Sequence, residues 1–146
     1  MAEREQTYKN HARFLPPFHF FVIPVLAANV VYAGRHLVTR GVSITTGWEL
    51  VIAFTLLMLG FLSRVQALAV QDRVIRLEMR MRLKQVLPAD LQAKINDVST
   101  KHLVALRFAS DAELPDLVRD VLAGTLDKQK DIKLRIKSWQ ADWQRA

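Results

Sequence analysis

Between Phe18 and Gly34, and again between Leu50 and Ser63, the chain carries no Asp, Glu, Lys or Arg. Few soluble folds can accommodate two such stretches, because a surface helix normally keeps a polar face and these show almost none. At 1.5 Å per residue the first stretch spans roughly 25 Å as a helix, a little short of a ~30 Å hydrocarbon core. The second crosses only if Trp48 and part of Val65–Val70 are added. Its eight Leu, Ile, Phe and Val residues between Val51 and Leu62 contribute roughly −4 kcal/mol on an insertion scale. Arg64 would cost about 2.5–3.5 kcal/mol at the bilayer centre, but at a helix end it can snorkel to the headgroups. The first stretch is the weaker, since it holds His19, Pro24 and Asn29. Pro24 is expected to kink the helix, and Asn29 calls for a hydrogen-bond partner on the second span.

The charge is concentrated elsewhere. Residues 1–63 hold 5 Lys/Arg and 3 Asp/Glu, against 16 and 11 in residues 64–146. Arg4, Lys9 and Arg13 precede the first span, Arg35 and Arg40 lie between the spans, and Arg64, Arg73, Arg76, Arg80, Arg82 and Lys84 follow the second. Nine basic residues against two place both termini in the cytoplasm. Tyr32 and Trp48 then fall at the outer interface, and Phe14 and Phe18 at the inner one. A cleavable signal peptide ending near Val31-Tyr32-Ala33 is the rival reading of the first span, but the leading region is long and carries Glu3 and Glu5.

The resulting expectation is an all-α integral membrane protein. It comprises a cytoplasmic segment 1–17, a first span 18–34, a short external loop 35–47, a second helix 48–87 extending into the cytoplasm, and a domain of short helices 88–146. No Pro or Gly interrupts residues 61–87, and Phe61, Val65, Leu68, Ile75, Met79, Leu83 and Val86 form an apolar stripe there. Asp72–Arg76 and Glu78–Arg82 have the spacing of i,i+4 ion pairs. Pro88 ends the helix. Leu91, Ile95 and Val98 mark a short amphipathic segment. Ser99 or Thr100 caps a helix over 101–109 with Leu103, Leu106 and Phe108 inward. Ser110 and Glu113 have capping-box spacing and open a third helix, with Leu114, Leu117, Val118, Val121 and Leu122 on its core side, although Pro115 can shift its start. Gly124 is a natural stop. Asp127 caps a last helix on which Ile132, Ile136, Trp139 and Trp143 fall within about 60°, with Lys130, Lys133 and Lys137 opposite. The last 60 or so residues are few for an independent core, so they are expected to pack on the long helix, a second copy or a partner.

Several segments together are distinctive. They are Gln6-Thr7-Tyr8-Lys9-Asn10-His11-Ala12-Arg13-Phe14, Pro16-Pro17-Phe18-His19, Val70-Gln71-Asp72-Arg73-Val74-Ile75-Arg76-Leu77-Glu78, Leu87-Pro88-Ala89-Asp90-Leu91, Leu106-Arg107-Phe108-Ala109-Ser110-Asp111 and Leu114-Pro115-Asp116-Leu117-Val118. With them the chain resembles, over nearly its whole length, an uncharacterised family of small two-span bacterial membrane proteins, a domain of unknown function. The resemblance implies the two-span topology and a bacterial source, and no activity, substrate or cofactor.

The chemistry-bearing residues are sparse. With no Cys there is no disulfide, thiolate nucleophile or sulfur-ligated metal, and no GxGxxG or GxxxxGK[ST] is present. No paired carboxylates or nucleophile with a base point to catalysis, so an enzyme is not expected and no catalytic residue is assigned. The histidines at 11, 19, 36 and 102 form no metal-ligand spacing. His19, at the inner edge of a span, has the placement of a haem or chlorophyll ligand. Its plain alternative is an interfacial histidine bonded to headgroups or a backbone carbonyl. His102 needs only solvent. Arg64, Arg73, Arg76, Arg80 and Lys84 suit anionic lipid headgroups or an acidic partner, or are simply a solvated face. The Ile132/Ile136/Trp139/Trp143 stripe reads as a packing or intermolecular face. Nucleic acid finds no helix-turn-helix or stacking platform here.

The expected partners are therefore membrane lipids and other membrane-complex subunits or further copies of this chain. The expected role is a non-enzymatic accessory, anchoring or assembly subunit of a larger bacterial inner-membrane complex, on the grounds that two spans are too thin for a transport path and carry no buried charge pair. The alternative is a cofactor- or pigment-contacting small subunit of a respiratory or photosynthetic complex. A homo-oligomeric channel would have only Asn29 and Thr55 to line it.

Overall fold

Gly41 stands at φ 85°, in the half of conformational space that side chains avoid, and there the first long helix stops. The computed structural model describes residues 6–8, 10 and 15–142. Those residues fold as helices and turns without a strand; the one bridge joins Ala109 and Trp139. The helices are α1 (Ile23–Arg40), α2 (Ile44–Val86), α3 (Ala89–Gln92), α4 (Thr100–Leu106), α5 (Leu114–Leu122) and α6 (Gln129–Arg135), with a π-turn Phe18–Val22 before α1 and a 3₁₀ turn Ile95–Asp97 after α3.

The chain divides into two units. The first covers residues 15–68. Pro24 lacks an N–H and its ring crowds the carbonyl four residues back; the helix responds by widening into the π-turn, in which the Ile23 N–H donates to the Phe18 oxygen. The proline thus yields a wider turn rather than a break. Residues 35–40, expected in a loop, continue α1, since nothing before Gly41 breaks a helix and the Thr39 hydroxyl donates to the Arg35 carbonyl. The connection shrinks to Gly41-Val42-Ser43. Ser43 then caps α2 four residues earlier than expected: its Oγ accepts from the Thr46 N–H at 3.1 Å, while Thr46 Oγ1 accepts from the Ser43 N–H at 2.9 Å. This reciprocal cap uses Thr where the usual pattern has Glu, which is why it is easily overlooked. Small residues mark where α1 meets α2. Ala33 and Ala53 are buried, and a Cβ on Gly60 would stand 3.3 Å from Leu26 Cδ1 and 3.4 Å from Ile23 Cδ1. Asn29 makes no bond to α2; it is exposed.

The second unit comprises residues 69–142 with 6–8 and 10. Its core gathers Ile75, Met79 and Leu83 of α2 with Leu91, Ile95, Val98, Leu103, Leu106, Phe108, Leu114, Leu117, Val118, Val121 and Ile132. The expected inward residues of the short helices are therefore inside, and they pack on the later turns of α2. Of the apolar stripe on that helix, Ile75, Met79 and Leu83 are buried, while Phe61, Val65 and Leu68 are exposed. Pro88 ends α2 as expected, and the Gln92 side chain donates to the Lys84 and Leu87 carbonyls that the helix end leaves open. Ser99 caps α4, and Gly124 stops α5 at φ 76°.

Candidate functional site

Several expected local arrangements do not form in the second unit, and for Arg82 and the last helix the reason is a tertiary partner that outcompetes the local one. Neither Asp72–Arg76 nor Glu78–Arg82 pairs. The Arg82 guanidinium turns instead to the turn after α4, where Nε donates to Asp111 Oδ1 at 2.7 Å, Nη2 to the Ala109 carbonyl at 2.7 Å and Nη1 to the Arg107 carbonyl at 3.2 Å. One guanidinium fork satisfies a whole turn of backbone, which an exposed i,i+4 pair cannot match.

The last helix is likewise cut short. Glu113 reaches back to Ser110, as the capping-box spacing suggests, and also away from its own helix. Its Oε2 accepts from the Ser110 hydroxyl at 3.0 Å, and its carboxylate reaches the Lys137 N–H at 2.9 Å and the Ser138 N–H at 3.2–3.3 Å. Those two N–H groups would otherwise continue α6. Burial alone would raise the Glu113 pKa, but these donors together hold it below the ordinary 4.5. The chain leaves the helix at Ile136, so the Ile132/Ile136/Trp139 set is not a helical stripe. Ile132 and Ile136 belong to the core, and Trp139 stacks on Phe108 with centroids 4.7 Å apart. Ile132 and Ile136 are buried inside their own unit and Trp139 is half-buried against it; Trp143 lies outside the described residues. Asp127 does not cap α6 either. Lys128 occupies that position, and the Asp127 carbonyl accepts from His102 Nε2 at 2.8 Å, so His102 is tied down rather than simply solvated.

Of the basic residues expected to dock lipid or a partner, Arg73 and Lys84 are exposed, and Arg76 and Arg80 are half-buried with Nε atoms that no acceptor among the described residues reaches. These four follow one another along α2 in the second unit. Arg64, half-buried, belongs to the first. Arg4, Lys9 and Arg13, with His11 and Phe14, lie outside the described residues.

His19 sits in the π-turn with Nδ1 3.0 Å from the Leu15 carbonyl oxygen, the backbone-bonded alternative. A different histidine carries the closest polar contact between α1 and α2: His36 Nδ1 lies 2.6 Å from Glu49 Oε2, and its ring stacks on Tyr32 at 5.9 Å. The first unit thus does hold a half-buried polar pair. The apolar stretch ends at Gly34 and leaves residue 36 in the expected loop; because α1 runs to Arg40, His36 and Glu49 face each other across the tight connection. Beside them, Asn29, Tyr32, Ala33, Trp48, Glu49 and Ile52 line an open groove. Among the described residues no three His, Asp or Glu side chains converge as a metal site.

A further contact was invisible to local pattern. Gln6 is buried, its Oε1 accepting from the Asp142 N–H at 2.9 Å, so residues near both ends of the sequence meet in the second unit. Asp142 also pairs with the buried Arg107 at 3.0 Å, and the Arg107 guanidinium lies 4.3 Å from the Phe108 ring centroid.

The molecule is an all-helical protein with two helices long and apolar enough to cross a membrane, Phe18–Arg40 and Ile44–Val86, and a second unit with its own core. Its whole length, residues 1–146, matches the family of unknown function DUF6526, and the chain belongs to that family. No curated protein and no solved structure matches it.

Proposed function

We infer that the protein is a membrane-anchored, non-enzymatic accessory or assembly subunit of a larger bacterial inner-membrane complex, with residues 15–68 as a two-span hairpin and residues 69–142 as its cytoplasmic docking unit. One observation carries the reading. The most apolar 18-residue windows of the two long helices are each only 6% buried within the protein. Helices of that composition inside a soluble core would be covered by their own chain, whereas these present Phe20, Phe21, Val25, Val31, Phe54 and Leu59 outward. Lipid is the solvent that removes the cost. The extension of the first helix to Arg40 supports the same reading, since its 23 residues span roughly 35 Å, enough for a ~30 Å core.

Charge and one contact support the orientation. The basic residues Arg73, Arg76, Arg80, Arg82 and Lys84 outnumber Arg35 and Arg40, which favours a cytoplasmic second unit. The Gln6–Asp142 bond supports both chain ends on that same side. The half-buried Arg76 and Arg80, each with a shielded donor lacking an acceptor, suit contact with acidic groups of lipid headgroups or a neighbouring subunit.

Gentle detergent extraction from native membranes followed by sizing tests the proposal. The expected species is a complex containing other subunits. Release by buffer alone, or a particle made only of this chain, overturns it.

A further inference from the structure

We propose that a second copy of this chain docks on the free face of α2 within the second unit, as a parallel two-stranded coiled coil over Val70–Met81. On the far side of the helix from the buried Ile75, Met79 and Leu83, the side chains of Val70, Val74, Leu77 and Met81 are 60, 47, 59 and 61% exposed. Their spacing of four, three and four residues keeps them within about 60° of one another on the helix, the seam of a heptad pattern with Val70 and Leu77 at d and Val74 and Met81 at a. The charged residues at this level, Asp72, Arg73, Arg76, Glu78 and Arg80, all stand off this line.

The flanking charges select both the occupant and its direction. In this register Arg73 is at g and Glu78 at e, five residues on, the separation at which g of one helix meets e of a parallel partner. Both are exposed, and neither forms an ion pair among the described residues; Arg82, the expected partner of Glu78, is committed to Asp111. A parallel copy therefore makes the Arg73–Glu78 pair twice by symmetry. The next g residue, Arg80, whose Nε lacks an acceptor, falls opposite the e-position amide of Gln85. An antiparallel copy would set g against g, arginine facing arginine. Two heptads are too short to hold a helix by themselves in water. Here the helix is already ordered by the core on its other face, so association carries no folding cost.

The chain has no native cysteine, so single substitutions report on the contact cleanly. In the full-length protein in its membranes, Leu77→Cys is expected to form a symmetric disulfide dimer under mild oxidation, and Asp72→Cys, exposed but off the seam, is not. Charge reversal sharpens the test. Arg73→Glu alone or Glu78→Arg alone, each placed on the Leu77→Cys background, is expected to lower dimer yield roughly three- to tenfold, and the two reversals together to restore it. Absence of the Leu77→Cys dimer, equal cross-linking at position 72, cross-linking only to a different protein, or failure of the double reversal to rescue overturns the proposal. These outcomes are separate from the fate of the accessory-subunit reading, which a pure homodimer would overturn while leaving this one standing.

Discussion

Residues 15–68 and residues 69–142 are both helices joined by short turns, and they dispose of their apolar side chains in opposite ways. In the first, Phe20, Phe21, Phe54 and Leu59 face outward; in the second, Phe108, Leu103, Leu106 and Leu114 are wholly enclosed. Polar groups are inverted too. The first unit satisfies its few hydroxyls on its own backbone, as with Thr55 Oγ1 on the Val51 carbonyl and Ser63 Oγ on that of Gly60. The second uses long side chains, Arg82, Glu113 and Gln92, to satisfy backbone at a distance. The contrast teaches that helix content says little about a unit's solvent. What distinguishes the two is whether the chain carries enough polar surface to coat an interior, and only the second half does.

That contrast is most sharply broken at the aromatic residues. Phe108→Ala should destabilise the second unit by about 3–5 kcal/mol, read as faster hydrogen exchange across residues 100–122 in detergent. Phe54→Ala should leave that exchange unchanged, and equal effects would mean the two regions are not independent in their packing. Next in size, Leu59→Arg places a charge in the middle of the second apolar stretch at a cost of about 2.5–3.5 kcal/mol. The fraction of protein resisting alkaline extraction from membranes should fall, and an unchanged fraction would argue against lipid around that residue.

Arg82→Met should cost about 1.5–3 kcal/mol by releasing Asp111 and two carbonyls, whereas Arg73→Met on the same helix should change the stability of the second unit by less than about 0.5 kcal/mol. Chemical denaturation followed by circular dichroism above 260 nm separates the two. The smallest effect belongs to Glu113. Its folded-state pKa is depressed, so the stability it contributes is fully present above its ordinary 4.5 and is lost as pH falls through the lower folded value. Glu113→Gln should cost about 1 kcal/mol at neutral pH and flatten the acid limb of the stability profile below pH 5.

Much of this architecture could be read residue by residue. Pro88, Ser99 and Gly124 act where a local rule places them, because a missing N–H, a short side-chain acceptor and a Cβ-free backbone exert their effects within one turn. The inward positions of α4 and α5 follow equally from spacing. Structure departs from local pattern where a residue has two available partners. Glu113 serves the backbone at 137–138 as well as Ser110 at its own helix start, ending α6 and taking Ile132 and Ile136 out of any helical stripe. Arg82 chose Asp111 over Glu78. Ser43 found a threonine for its cap, and with it the loop contracted and His36 came opposite Glu49. Of the candidate docking residues, the basic run on α2 was legible as a run, but which of its members were spent on internal bonds was not.

Periodicity and punctuation in the chain therefore determined the helical class, the two long apolar segments and which face of each short helix turns inward, since each rests on patterns that repeat within about four residues. Tertiary structure alone decided which long side chains bridge elements, where the last helix ends, that Gln6 meets Asp142, and that one face of α2 is covered while the opposite one is left bare. Those outcomes depend on competition among partners 24 or more residues apart, and that competition is settled by geometry that a linear pattern does not contain.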